Sequence, residues 1–249
     1  MLKIRDLTVI YGETRILNRV SIDVKRSEIV GIVGESGSGK STLLNSIIDL
    51  LDPKLKIAGG DIIFEDHILS SMKKKEWNKI RGQDISFISQ YPVQSLDPVF
   101  KIRSQIREIL PAGKSDMERV RVLLQDLGFE DPDRILDSYP FELSGGMCQR
   151  VAIAMALCSR TKLLLADEPT SALDITIQAD IIKMLTHIRK EYGLAILIAS
   201  HNMGVISKMA DRVAVMYQGE VVEFGDTQDV TGHPSHPYTK KLIASIPKM

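Results

Sequence analysis

The stretch Gly34-Glu35-Ser36-Gly37-Ser38-Gly39-Lys40-Ser41-Thr42 constrains this chain more than any other. The apolar run before it, residues 29–33, has the length of a short buried strand, and the apolar spacing of Leu43-Leu44-Asn45-Ser46-Ile47-Ile48 after it predicts a helix. Strand, glycine-rich turn, then Lys-Ser opening a helix is the context that a phosphate-binding loop requires. Glycines let backbone N–H groups converge on phosphate oxygens without Cβ clashes. The helix N-terminus adds unpaired donors and about half a positive charge. The pattern predicts Lys40 reaching the β- and γ-phosphates and the Ser41 hydroxyl ligating Mg²⁺. A glycine-rich turn that binds nothing is the plain alternative; strand, loop and helix together argue for a nucleoside triphosphate site.

At 249 residues the chain can bury a substantial core, as one large α/β domain or two lobes. Its net charge of zero gives no reason to expect nucleic acid or an anionic membrane as a partner. No apolar run approaches the roughly 18 residues of a membrane span, and the N-terminus, Met1-Leu2-Lys3-Ile4-Arg5-Asp6, lacks a signal-peptide pattern. Cys148 and Cys158 fall within one predicted helix. Their rise of about 15 Å is too long for a disulfide, which predicts reduced core thiols in a cytosolic protein.

Along the chain, residues 2–11 and 16–24 alternate as strands around Tyr11-Gly12-Glu13. Tyr11 beside that turn reads as packing by default, although an exposed ring offers a nucleotide base a stacking face. Gly59-Gly60 leads into an expected strand at 61–66, and residues 71–82 carry Lys73-Lys74-Lys75 and Trp77 as a solvated helix face. Residues 85–89 form a short strand with Gln90 at its end. From about 99 to 137 the pattern is helical and charged, a mostly helical insertion into an α/β core. Leu143-Ser144-Gly145-Gly146-Met147-Cys148-Gln149-Arg150 then opens an apolar helix, a second helix N-terminus that suits an anion yet has no lysine. An N-cap serine with flexible glycines is the structural reading of the same residues.

Leu163-Leu164-Leu165-Ala166-Asp167-Glu168 reads as an apolar strand ending in two acids, placed where parallel sheets put their ligands. Neighbouring strand residues face opposite ways, so Asp167 suits a Mg²⁺ shell and Glu168 a water aimed at the γ-phosphate. Ser171-Ala172-Leu173-Asp174 opens a helix reaching Tyr192, residues 194–200 form a buried strand, and His201 follows it. A helix over 203–210, a hairpin joining 212–217 to 220–224 and a helix over 239–246 complete the pattern. The His233-Pro234-Ser235-His236-Pro237-Tyr238 segment reads as turns, with a metal site as the weaker alternative.

Taken together, these motifs resemble the nucleotide-binding subunits of ABC transporters over nearly the whole chain. The resemblance rests on the loop at 34–42, a Q-loop at Gln90, the signature Leu143-Ser144-Gly145-Gly146-Met147, the strand at 163–168, a D-loop at 171–174 and a switch histidine at His201. It implies a P-loop ABC cassette of α/β class: a mostly parallel sheet core, an N-terminal antiparallel β region and a helical insertion. The implied organisation is one ATPase domain, 1–249, with a core of 1–90 and 140–249 and an insertion at 91–139. ATP and Mg²⁺ are the implied ligands. Tyr11 would stack on the base, while Ser41, Gln90 and Asp167 would serve Mg²⁺, Asp167 through water. Glu168, His201 and Gln90 would be catalytic, and Asp174 would act in the D-loop. Ser144, Gly145, Gly146 and Gln149 would close over ATP held by a partner subunit. Gln94-Ser95-Leu96-Asp97-Pro98 and His236-Pro237-Tyr238-Thr239 resemble the peptide and nickel importer group. The short tail after them tilts the expectation toward nickel or metal chelates.

Implied partners are two membrane permeases, a second ATPase subunit and an extracytoplasmic substrate-binding protein, placing the chain peripherally at the cytoplasmic face of the cell membrane. A soluble ABC ATPase of DNA repair or translation is the competing class. The absence of heptads and of net positive charge speaks against it.

Overall fold

The computed structural model describes residues 1–110, 116–159, 161–170 and 175–245. In chain order, strands β1 (Leu2–Tyr11), β2 (Thr14–Val24) and β3 (Ile29–Val33) precede helix α1 (Lys40–Ile47). Strands β4 (Leu55–Phe64) and β5 (His67–Ile68), helix α2 (Lys74–Trp77) and strand β6 (Ile85–Ile88) follow. Helices α3 (Ile102–Ile109), α4 (Met117–Asp126), α5 (Pro132–Asp137) and α6 (Gly145–Leu157) lead to β7 (Leu163–Asp167). Helix α7 (Ile175–Tyr192), β8 (Ala195–Ser200), α8 (Met203–Ile206), β9 (Arg212–Tyr217) and β10 (Glu220–Asp226) come next, then α9 (Thr227–Gly232) and α10 (Pro237–Ala244).

The strands form two sheets: an antiparallel one ordered β2-β1-β4-β5, and a mostly parallel one ordered β10-β9-β3-β8-β7-β6 with β10 antiparallel at its edge. The parallel strands are mostly apolar because both faces are covered. Alternate residues divide between two cores. Val30, Ile32, Leu163 and Leu165 pack with α1 and the antiparallel sheet, whereas Ile29, Val33, Leu164 and Ala166 pack with the helices of 102–157 and α7. The helical segment therefore shares its core with the sheet.

Several local expectations need correction. The Gly59-Gly60 pair does not precede a strand but lies inside β4, where register shifts against β1 mark a bulge. Gly60 has φ +84°, and a Cβ there would come within 2.4 Å of the Arg5 carbonyl oxygen. The helix expected over 71–82 is one turn, α2; Trp77 is buried, and the Arg81 guanidinium lies over its ring at 4.8 Å. Helix α8 covers only four residues of the expected 203–210; turn hydrogen bonds from Met209 and Ala210 to the Ile206 carbonyl complete the segment. Cys148 and Cys158 are buried free thiols, and burial pushes Cys158 up to about 11. Among the described residues no helix is long and apolar enough to cross a membrane.

Candidate active site

Strand register assembles the site. Val33 pairs with Ser200, Ala199 with Asp167, and Ala166 with Ile88, so β3, β8, β7 and β6 end side by side. The residues that follow those ends are the phosphate loop, His201, Glu168 and Gln90. All four therefore share the C-terminal edge of the parallel sheet, where such sheets bind ligands.

At the first strand end, Gly34 approaches the Met216 carbonyl so closely that a Cβ would sit 2.3 Å from its oxygen. The loop closes with a Ser38 N–H bond to the Glu35 carbonyl at 3.2 Å, and Gly39 caps α1. Strand β2 lies behind it: a Cβ on Gly39 would meet Leu17 at 2.7 Å. That packing brings the β1–β2 hairpin alongside, with Tyr11 half exposed at its tip. Gly37 faces open space, Glu35, Ser36 and Gly37 are exposed, and Ser38 and Lys40 are buried.

Lys40 donates to the carbonyls of Gly34 at 2.7 Å and Glu35 at 3.0 Å, and lies 3.8 Å from Glu168 Oε1. Burial pushes the ammonium below the usual lysine range, opposed by the nearby charges of Glu168 and Asp167. Asp167 ends β7 buried, and burial raises its carboxyl above the ordinary range even though Ser41 hydrogen-bonds to it. Its Oδ1 has no hydrogen-bond partner among the described residues. Glu168 lies just past the strand at φ +46°, its N–H donating to the Ala199 carbonyl at 2.9 Å. This unusual backbone turns its carboxylate toward both Lys40 and His201, whose Nδ1 is 2.9 Å from Glu168 Oε2. That contact occupies Nδ1 and leaves Nε2 for a second partner. Gln90 is exposed just beyond β6.

The signature lies elsewhere on the surface. Ser144 N-caps α6, its hydroxyl accepting from Met147 N–H at 3.3 Å, and Ser144 and Gly145 are exposed with Gly146 half-buried. Gln149 departs from its expected placement. It is buried and donates to the Pro169 carbonyl of its own chain, tying α6 to the turn after Glu168. Ser171 and Asp174 lie outside the described residues. His236 serves as the N-cap of α10, accepting from Tyr238 N–H at 3.2 Å, and among the described residues no cluster of three or more His, Cys, Asp or Glu is placed to hold a metal.

Sequence reasoning missed two outside supports of the loop. Gly219 in the β9–β10 turn donates its N–H to the Ser38 carbonyl at 3.1 Å, and Glu35 N–H donates to the Tyr238 hydroxyl at 2.9 Å. No local pattern signals either, because both partners lie about 180 to 200 residues downstream and are brought back by the β9–β10 hairpin.

A lysine-bearing phosphate loop beside an acid pair and a histidine, with a separate Ser-Gly-Gly helix cap, defines a P-loop ATPase of the cassette class. The chain belongs to the ABC transporter family, whose pattern matches residues 17–171, and residues 222–249 match the oligopeptide/dipeptide transporter C-terminal region. The dipeptide transport ATP-binding protein DppD of Haemophilus influenzae is 38% identical over 100% of this chain and 78% of its own length. The oligopeptide transport ATP-binding protein OppD of Bacillus subtilis is 39% identical over 100% of this chain and 72% of its own length. The chain spans about half, 47%, of the peptidoglycan transport ATP-binding protein YejF of Agrobacterium fabrum, at 42% identity over 100% of this chain.

Among solved structures, the dimeric ATP-binding cassette MJ0796 in a post-hydrolysis state with ADP and Pi superposes with TM-score 0.77. It is 30% identical over 91% of this chain and 99% of that one. For cbiO1 of Clostridium perfringens, part of the ABC transporter complex cbiONQ, the TM-score is 0.82 at 29% identity, over 93% and 90% of the two chains. The fold is thus the expected α/β cassette. The repair or translation reading finds no support in these relatives, and the tilt toward nickel has no counterpart among those named.

Proposed function

We propose that this chain is the ATPase subunit that powers peptide uptake through separate membrane permeases, at the cytoplasmic face of the membrane. The observation that carries the reading is a phosphate loop, an acid pair and a histidine along one sheet edge, in a chain whose residues 222–249 match the oligopeptide/dipeptide C-terminal region. Lys40 and those N–H groups of the 34–42 loop not engaged by Tyr238 or within the loop hold the phosphates of ATP, and Tyr11 stacks on the base. Ser41 and Asp167 suit Mg²⁺: one buried Asp167 oxygen has no partner among the described residues, and Ser41 hydrogen-bonds to the same carboxyl. So open a donor set fits an ion that takes its other ligands from phosphates and water. Ser41 and Asp167 would hold Mg²⁺ there, and the ion would supply charge neutralisation to the reacting phosphates.

Glu168 orients the attacking water and accepts its proton, with His201 fixing its carboxylate and contacting the γ-phosphate. Gln90 reaches toward the ion and the water. Preorganised charge at this edge supplies most of the rate enhancement. Ser144, Gly145 and Gly146 cover ATP held by a second ATPase subunit, identical or not, and Asp174 acts at that interface. Within the single domain 1–249, the 91–139 insertion docks two permeases, a role suited to its exposed Tyr91, Val99 and Phe100. An extracytoplasmic binding protein delivers the substrate.

The test is uptake of labelled peptides and of nickel in a strain deleted for this chain. Peptide uptake should be lost, and should return with the wild-type gene but not with Glu168→Gln. Loss of nickel uptake alone would replace peptides by metal. Unchanged uptake of both would overturn the transport reading.

A further inference from the structure

The C-terminal segment reaches back to the phosphate loop, and the point of contact is one peptide unit. Its carbonyl belongs to Gly34 and accepts the Lys40 ammonium at 2.7 Å; its N–H belongs to Glu35 and donates to the Tyr238 hydroxyl at 2.9 Å. A peptide unit is planar and its trans C=O and N–H point in opposite directions, so fixing one end fixes the other. Tyr238 is itself well held. It is 8% exposed, and its ring lies 4.3 Å from that of Tyr217, at the end of β9. The turn before α10 is anchored by Glu223 of β10, whose carboxylate accepts from Ser235 N–H at 2.9 Å, Ser235 Oγ at 3.0 Å and His236 N–H at 3.1 Å.

We propose that Tyr238 is a positioning residue for nucleotide binding, its hydroxyl orienting the Gly34–Glu35 peptide so that the Gly34 carbonyl holds Lys40 in place for the phosphates. This rests on the reading of Lys40 as a phosphate ligand. The tail is then part of the nucleotide site, although it supplies no group that touches the nucleotide.

Tyr238→Phe removes the hydroxyl and keeps the ring, so it separates orientation from packing. The full chain is titrated with a fluorescent ATP analogue in Mg²⁺, and its steady-state ATPase is measured. A neutral hydrogen bond sets the scale of the loss, so Kd and KM should each rise about threefold to tenfold while kcat changes less than about twofold. The melting temperature without nucleotide should fall by only a few degrees. Tyr217→Phe is the control, because its hydroxyl faces Gln218 rather than the loop; Kd should then stay at the wild-type value. Equal Kd for Tyr238→Phe and wild type would overturn the proposal, as would an equal rise in both variants or a melting shift with unchanged Kd. A wild-type chain that bound no nucleotide would instead overturn the reading beneath it.

Discussion

Glu168 shows how much chemistry one backbone angle can carry. At φ +46° it leaves the strand direction, which places one carboxylate oxygen 3.8 Å from Lys40 and the other 2.9 Å from His201. A non-glycine residue held in the left-handed region costs about 1–3 kcal/mol and is found where function requires it. Asp167, one residue earlier, keeps strand geometry and stays buried against Ser41. The two acids therefore divide because Glu168 leaves the strand, and not through the alternation of strand residues. Glu168→Gln keeps size and shape while removing the base. Turnover in that variant should fall by about 10²–10⁴-fold, with ATP affinity within about twofold of wild type. Single-turnover hydrolysis and equilibrium binding measured together check it, and near-normal turnover would remove Glu168 from the base role. Gly34→Ala addresses the loop from the other side. Its Cβ would press on the Met216 carbonyl, a backbone atom that cannot swing away, so ATP binding should be lost at least tenfold in titration.

Among the elements, what was legible in the sequence is what burial dictates. β3, buried on both faces, has the bounds expected from its apolar run, and β7 and β8 come within a residue of theirs. The less legible elements owe their form to distant partners. Residues 203–210 have helical apolar spacing, yet Ile206 and Ala210 settle against Gly31 of β3 and the segment turns rather than continues. Helix α9 was missed because Val230 is its one buried apolar side chain, too little for a periodic signal. At the site, the loop and the acids could be found from spacing and His201 from the family resemblance, whereas the supports at Gly219 and Tyr238 arise from sheet order.

The two sheets are also joined by charge: Arg212 of β9 makes a bidentate pair with Asp23 of β2, at 3.0 and 3.2 Å. The Arg212 hydrogen bonds hold Asp23 below its ordinary value of 3.8. A lowered carboxylate contributes stability that is complete above the ordinary value and is lost as pH falls through the lowered one. Asp23 is partly exposed, so Asp23→Asn should cost only about 0.5–1 kcal/mol at neutral pH, a melting shift of about 1–4 °C. Melting curves across pH should show that gap constant near neutrality and closing below 3.8. A gap that persisted in acid would mean the pair contributes through packing alone.

Among the described residues two helix N-termini suit a phosphate, with one lysine between them: α1 opens on Lys40, α6 on the exposed Ser144 and Gly145. The first lies at the sheet edge with Glu168 and His201. The second caps a helix in the other core and faces outward, its apolar side bound to Val120, Leu124 and Leu136. On the proposed reading such a cap completes the triphosphate site of a second subunit, which would make assembly a condition of turnover. Ser144→Arg tests this at the right scale. The substitution removes an N-cap, worth about 1 kcal/mol, and sets a bulky cation on an exposed face, so the chain should still fold. ATP affinity of the isolated subunit should stay within about twofold, while ATPase activity falls at least about 100-fold. In a Glu168→Gln background, sizing with ATP should show a dimer that Ser144→Arg abolishes. A large loss of affinity in the isolated subunit would instead place Ser144 in its own subunit's pocket, and undiminished turnover would show that the second anion site takes no part in the reaction.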